Sequence, residues 1–434
     1  MNNDAVATSA PQANSKGTLV PLLMIAGLFF IFGFVTWLNG SLMPYLEVVL
    51  NLTPFQASFI LFSFYIAVTV FSLPSSWVIR KLGYKNGMAV GLGVMASAAL
   101  LYIPAAKTHW FGLFLIAQFM MGAGQTLVQT AVNPYVVKMG PEESAARRIS
   151  FMGILNKSAG IVAPLVFTAL ILGGMTGHPT TTPSAEEIEQ MASNLVLPYI
   201  YMALVIGVVA VLVKFSSLPE LDLHESAEEK LPLRGVLQFP NLVLGVIALF
   251  LYVGVEVIAG DTIGAYGRSI GFSNFSILTS ITMSCMVIGY ILGILLIPRV
   301  ISQQNMLLVS AALGVIFSLS IVFGNNESTS ISSLLAFAGV PAIPNTILCI
   351  ALLGLANAIM WPAIWPLALS GVGKYTATGS ALLIMAIAGG AVLPVIMGGA
   401  AMIVDRQTAY LVMTPCYLFI LYYAAKGYKL RSWK

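Results

Sequence analysis

The amino-acid sequence predicts an all-α membrane protein of twelve transmembrane helices, arranged as two pseudo-symmetric six-helix bundles. Three features point there. Apolar residues make up 58% of the 434 positions and charged residues only 8%, against about 25% charged in an average soluble protein. The apolar residues gather into runs long enough to cross a bilayer. Two segments of the first half recur in the second at nearly one offset. So few charges cannot coat a soluble fold of this length, which excludes an ordinary cytosolic enzyme, a nucleic-acid binder and a disordered chain.

A helix crossing a hydrocarbon core of about 30 Å needs about 20 apolar residues. Runs of that kind lie at 20–42, 55–79, 86–105, 110–137, 148–173 and 196–216, then at 240–265, 275–298, 304–323, 344–370, 378–400 and 408–425. They are rich in glycine, as suits helices that pack closely in lipid. The alternating ten-residue segments of a β-barrel are absent. The first run is too long for a signal peptide, only Lys16 closely precedes it and no good cleavage site follows, so it reads as a permanent span. The organisation that results is a tail over 1–17, a bundle over 18–216, a charged linker over 217–239, a second bundle over 240–425 and a tail over 426–434. Cys285, Cys349 and Cys416 sit in apolar runs without a close-spaced pair, and His109, His178 and His224 are scattered in connections. That pattern suggests packed thiols and no disulfide, metal or haem site.

Positive charge sorts by side. Sixteen of the 20 Lys and Arg fall in the tails and in alternate connections, among them Arg80, Lys81, Lys85, Lys138, Arg147, Arg148, Lys214, Lys230, Arg234, Arg299 and Lys374. The other connections hold only Lys107, Arg268 and Arg406. The positive-inside rule places both termini in the cytoplasm. Lys157 belongs to neither set, because it lies inside a span.

The repeat is readable directly. Gly122 to Pro134 (GAGQTLVQTAVNP) matches Gly354 to Pro366 (GLANAIMWPAIWP) at an offset of 232, and Ser158 to Pro164 matches Ala388 to Pro394 at 230. Two matches at nearly one offset indicate duplication. Two parallel six-span halves describe the major facilitator fold, in which the substrate site lies near the midplane between halves that rock to alternate access. The connection Arg80-Lys81-Leu82-Gly83-Tyr84-Lys85 is similar to a degraded form of that superfamily's basic signature, with Val78 and Ile79 where an acidic residue is usual.

Within the superfamily the chain resembles the fucose–galactose–glucose permease group. The resemblance is carried by Leu38-Asn39 with Pro44 in span 1, Gln129 to Tyr135 in span 4, Phe250 to Glu256 in span 7, Asn357 to Pro362 in span 10 and Gly379 to Ala391 in span 11. It implies a sugar–cation symporter over nearly the whole chain. Two departures matter. Fucose–proton symporters of the group carry Asp directly after the Leu-Asn pair, where this chain has Gly40. They also carry Glu where this chain has Gln129. The roles of those two carboxylates are therefore not carried over. Glu256, Asp261 and the pair Asn156-Lys157 are more similar to the glucose/galactose and N-acetylglucosamine-type members.

Three charges fall within spans: Lys157, Glu256 and Asp261. Such charges are costly in lipid and normally face a bundle interior or an aqueous cavity. Lys157 lies about 13 Å beyond Arg148 along a helix, near the midplane. Glu256 lies near or just beyond the midplane and Asp261 close to the outer interface. At a separation of five residues they point about 140° apart unless the helix breaks, and Gly260, Gly264 and Gly267 favour a break. These three are the candidate cation-coupling residues, for a co-transported H+ or Na+; no other cofactor is implied. The alternative is an ion pair that only holds the halves together, or, for Asp261, a solvated position at the outer mouth.

Gln125, Gln129 and Asn133 form a stripe at i, i+4 and i+8. Amides donate and accept, as sugar hydroxyls do, though polar residues also glue helices together. Asn39, Asn156 and Asn357 join them as candidate ligands, together with Glu256. Trp37, Trp361 and Trp365 offer rings on which the C–H face of a pyranose can pack; residence at the membrane interface is their alternative.

The sequence thus reads as a carrier, not an enzyme: a cation-coupled hexose importer for glucose or galactose, with N-acetylglucosamine or export of small metabolites or drugs as alternatives. Its partners would be a small sugar and the bilayer, with no nucleic acid. A single chain in a bacterial inner membrane suffices for that work.

Overall fold

The computed structural model describes residues 15–138, 145–172, 184–216, 218, 233–334 and 342–433. Most of the tail 1–17 and of the linker 217–239 therefore lies outside the described residues. Within them, twelve helices are long and apolar enough to cross a membrane: Pro21–Val49, Pro54–Leu82, Tyr84–Thr108, Phe111–Val136, Phe151–Ile171, Ala185–Phe215, Pro240–Asp261, Phe275–Leu296, Gln303–Phe323, Asn345–Leu369, Thr378–Ile403 and Arg406–Ala425. They are spans 1 to 12 below. The first helix runs Ser15–Val49, beyond the predicted end at 42. Leu42, Met43, Tyr45 and Leu46 after Gly40 are buried and carry it on, and Pro44 sits inside it without ending it.

Helices are the only open-ended way to satisfy every backbone amide in hydrocarbon, and several ends are built with care. Span 2 opens on a capping box in which Thr53 and Gln56 satisfy each other's backbone amides. Asp405 caps the start of span 12 by accepting from the Thr408 amide.

The duplication is visible in three dimensions. Gly122 and Gly354, equivalent in the repeat, do the same job. A Cβ on Gly122 would run into the Phe64 carbonyl of span 2, and one on Gly354 into the Thr282 carbonyl of span 8. Span 4 thus lies against span 2 as span 10 lies against span 8. Gly160 and Gly390 are matched as well. The first faces Trp37 of span 1 and Met283 of span 8, the second Val257 of span 7 and Tyr65 of span 2. Spans 5 and 8, and spans 2 and 11, are the principal contacts between the halves. Both run through a glycine of the repeat, because only a residue without a side chain lets the backbones approach so closely.

Several spans are interrupted: in the first half span 5 turns π-helical at Thr168–Leu172 and span 6 is broken at Leu195. Span 10 breaks between Asn357 and Met360. Pro362 explains it, since it has no N–H to offer the Ala358 carbonyl four residues back. Span 11 carries a 3-10 turn at Ala386–Ala388. The helix of span 7 ends at Asp261 and a short helix resumes at Ile263–Ser269.

Replacing Gly122 or Gly354 by Val should overpack the span 2–4 or span 8–10 contact at a cost of about 1–3 kcal/mol. Gly27→Val should be neutral, because nothing lies within 4 Å of a Cβ there. Thermal unfolding followed with a thiol-reactive dye, which reports exposure of the buried Cys349 and Cys416, should show the first two melting several degrees lower and the third unchanged.

Candidate functional site

The site is assembled around one ion pair. Lys157 of span 5 donates from Nζ to Glu256 Oε1 of span 7 at 2.7 Å, with side chains only 10% and 11% exposed. The pair joins the two halves, Lys157 from the first third of span 5 and Glu256 from the last third of span 7. The Trp37 ring of span 1 lies under the same ammonium, 4.2 Å from Nζ to the ring centroid. Its indole N–H donates to Asn156 Oδ1 at 3.4 Å. Lys157 is thus held by a carboxylate from one side and a π-face from another, a combination strengthened by desolvation.

An aromatic wall continues from Glu256 into the second half. The Tyr252 hydroxyl, one turn back on span 7, faces the Glu256 carboxylate. The Tyr252 ring packs on Trp361 at 6.4 Å between centroids, and Trp361 stacks on Trp365 at 5.5 Å. Tyr290 of span 8 and Tyr417 of span 12 also lie within electrostatic reach of Glu256. Tyr417 donates to Asn357 Oδ1 at 2.9 Å, at the break in span 10.

The amides sit opposite, on spans 1 and 4. Gln125 donates to Thr36 Oγ1 at 2.9 Å, beside Trp37. Gln118 donates to Asn39 Oδ1 at 2.6 Å. Each keeps a buried polar valence open: Gln125 Oε1, Asn39 Nδ2 and, across the bundle, Asn357 Nδ2 have no hydrogen-bond partner. Buried polar groups are normally satisfied, so these are places where a polar guest would be welcome. Exposure grows along span 4 towards the side that holds the termini. Gln125 is buried, Gln129 half-buried and Asn133 exposed. Trp361 and Trp365, also on that side, are half-buried.

At the opposite end the halves are tied. Glu47, buried near the end of span 1, accepts from Arg406 Nη2 at 2.8 Å and lies 3.7 Å from Arg268 Nη1. Ser41 donates to the Ser276 carbonyl at 2.6 Å, and Gly40 packs on the Gly260 carbonyl and Thr279.

Of the residues singled out from the sequence, Trp37, Asn156, Lys157 and Glu256 therefore form one connected cluster. Trp361 and Trp365 reach it through Tyr252. Asn39, Gln125 and Asn357 bound it, while Gln129 and Asn133 lie nearer the open side. Asp261 makes no ion pair with this cluster. The helix does not break at Gly260 but one residue past Asp261, so the carboxylate leaves a different face from Glu256 while staying within electrostatic reach of it and of Lys157, and it is wholly buried. The expected departure at Gly40 has a steric counterpart, since Thr279 and the Gly260 carbonyl occupy the room a side chain there would need.

The sequence reading missed Gln118, Tyr252, Tyr417 and Glu47. Gln118 was findable, being seven residues before Gln125 on the same helix face. Glu47 lies beyond the predicted end of span 1. The tyrosines carry no signal that separates them from packed aromatic residues.

Residues 25–395 match the profile of the Major Facilitator Superfamily. The chain belongs to that superfamily. It is 32% identical over 429 residues to the glucose/galactose transporter of Brucella abortus, covering 99% of this chain and 98% of that one. It is 28% identical over 451 residues to the L-fucose-proton symporter of Escherichia coli, covering 98% of each. The permease group expected from spans 1, 4, 7, 10 and 11 is thus borne out. Among solved structures, the fold matches the E. coli fucose transporter FucP in its outward conformation with a TM-score of 0.66, at 24% identity over 96% of this chain and 100% of that one. It matches the xylose transporter XylE in its inward-open conformation with a TM-score of 0.65, at 13% identity over 93% of this chain and 95% of that one.

Breaking the central pair from one side leaves a buried charge alone, at a cost of about 3–5 kcal/mol. Lys157→Met should therefore lower the melting temperature in detergent more than the double variant Lys157→Met/Glu256→Gln, in which no charge is stranded. Equal or larger damage in the double variant would show that the two side chains do not depend on each other.

Proposed function

We propose that the protein imports a hexose, glucose or galactose, together with a proton, by alternating access. The observation that carries this reading is the Lys157–Glu256 pair, buried between the halves and flanked by rings on one side and by amides with open valences on the other. A pyranose has an apolar face for Trp37 or the Trp361–Trp365 stack. Its hydroxyls both donate and accept, which suits Asn39, Gln125, Asn156, Asn357 and, nearer the open side, Gln129 and Asn133. Glu256 can take two hydroxyl protons in charge-assisted bonds stronger than neutral ones. The names of the relatives support sugar as the cargo, and those of the fucose-type relatives support a proton as the driving ion.

Lys157, Glu256 and Asp261 are the residues through which cation binding would be felt. On this reading the termini lie in the cytoplasm of a bacterial cell, as the excess of Lys and Arg on that side favours. The open side is then cytoplasmic, and the Glu47–Arg268–Arg406 cluster is the closed extracellular end.

Uptake of labelled glucose and galactose into proteoliposomes, driven by an imposed proton gradient, tests the assignment. Saturable accumulation that collapses with the gradient is expected. Absence of uptake for every hexose tried, under either a proton or a sodium gradient, would refute it.

The tie at Glu47 gives a further expected outcome. A loss of about 1 kcal/mol from the closed end shifts the balance of states about fivefold. In a background without the three native cysteines, a Ser58→Cys probe at the span 2–span 11 contact should react faster with an impermeant thiol reagent when Glu47→Gln is added. An unchanged rate would show that the cluster does not hold the end closed.

A further inference from the structure

Asp261 ends the helix of span 7 with none of its surface exposed, and the donors set against its carboxylate, the Tyr65 hydroxyl and the Gly40 backbone, are neutral. The titratable groups that face it are Lys157 of span 5, Glu256 of its own helix and the Tyr65 hydroxyl of span 2. The other elements around it bring no further charge. Span 1 contributes the backbone of Gly40, while its Glu47 is held by two arginines. Span 8 presents Thr279. Spans 10 and 11 contain no charged residue. Arg406 of span 12 is engaged by Glu47, and Tyr410 by Thr262.

The charge count is therefore short. One ammonium serves two buried carboxylates, and it is committed at 2.7 Å to Glu256. An ionised carboxylate stripped of water, with neutral donors and no cation of its own, is strongly unfavourable. One added positive charge at Asp261 removes the deficit.

We propose that Asp261 carries the co-transported proton, one per cycle, while Glu256 stays ionised against Lys157 and serves the sugar. This rests on the symport reading above. The balance is simple: a proton from the extracellular side closes one O–H bond on the carboxylate, and the same bond releases it to the cytoplasm. A sodium ion would need several free oxygens, often backbone carbonyls beside a helix break. Here they are taken. Gly260 O accepts from Thr279 Oγ1 at 2.7 Å, Ile258 O accepts from Thr262 Oγ1 at 2.7 Å, and that hydroxyl also meets Tyr410 at 2.9 Å. Asp261 also lies between the central pair and the closed end at Glu47, so opening that end would expose it first.

Two readouts decide the matter. In proteoliposomes, Asp261→Asn should lose accumulation driven by a proton gradient and keep sugar counterflow, and Asp261→Glu should restore part of the accumulation. In sugar-free membranes at neutral pH, the infrared C=O band of a protonated carboxyl should be present in wild type, change frequency in Asp261→Glu but not in Glu256→Asp, and be absent in Asp261→Asn. Proton-driven accumulation surviving in Asp261→Asn would overturn the assignment. So would a band that changes frequency in Glu256→Asp instead, or accumulation driven by sodium and not by protons. If wild type moves no sugar at all, the symport reading fails. The infrared band still reports on its own whether Asp261 holds a proton.

Discussion

The bundle is organised by the need to keep a charge neutral in a medium without water. Lys157 enters from the first half and Glu256 from the second, and neither is tolerable alone at that depth. Their meeting fixes how spans 5 and 7 face each other, and Trp37 fills the space under the ammonium. Gly160 makes this possible, because any side chain there would press into the Trp37 ring. A buried ion pair seldom adds stability over a well-packed apolar pair. This one stands at the seam between the two halves.

Around the pair the two halves contribute differently. The first supplies amides, each tied by one bond to a neighbour: Gln125 to Thr36, Asn39 to Gln118. The second supplies rings, in the succession Tyr252, Trp361 and Trp365. Polar side chains thus stand on one side of the pair and aromatic rings on the other, the rings reaching it through Tyr252 and the amides through Trp37 and its neighbour Thr36.

Much of this was legible in the sequence, for a physical reason. The bilayer imposes length and apolarity on each span, so composition alone reveals the twelve crossings, and the repeat reveals the pairing of halves before any coordinate is known. The glycines at 122, 160, 354 and 390 mark contacts between backbones, and the structure finds them there. The rarity of intramembrane charge singled out Lys157, Glu256 and Asp261, but not which carboxylate the lysine chooses. That choice depends on the rotation of span 7, which the glycine-rich stretch around Gly260 left open. The helix proved continuous up to Asp261, and this turned the two acids apart. Glu47 was hidden because the hydrophobic run stops before the helix does. Tyr252 and Tyr417 were hidden because their polar ends are identified only by what stands opposite them.

The interruptions have a mechanical meaning. Spans 1 to 4 are unbroken helices, whereas spans 5, 6, 10, 11 and 12 each depart from regular α-helix along their length, and span 7 is followed by a break at Thr262. A continuous helix is a stiff rod; one with missing rungs bends at those points for little energy. Stiffness is therefore unevenly spread over the bundle. Spans 1 to 4 are its rigid part, and bending for little energy is open to it at Thr262, Ala358–Ile359 and Ala386–Ala388, beside Asp261, Asn357 and Gly390.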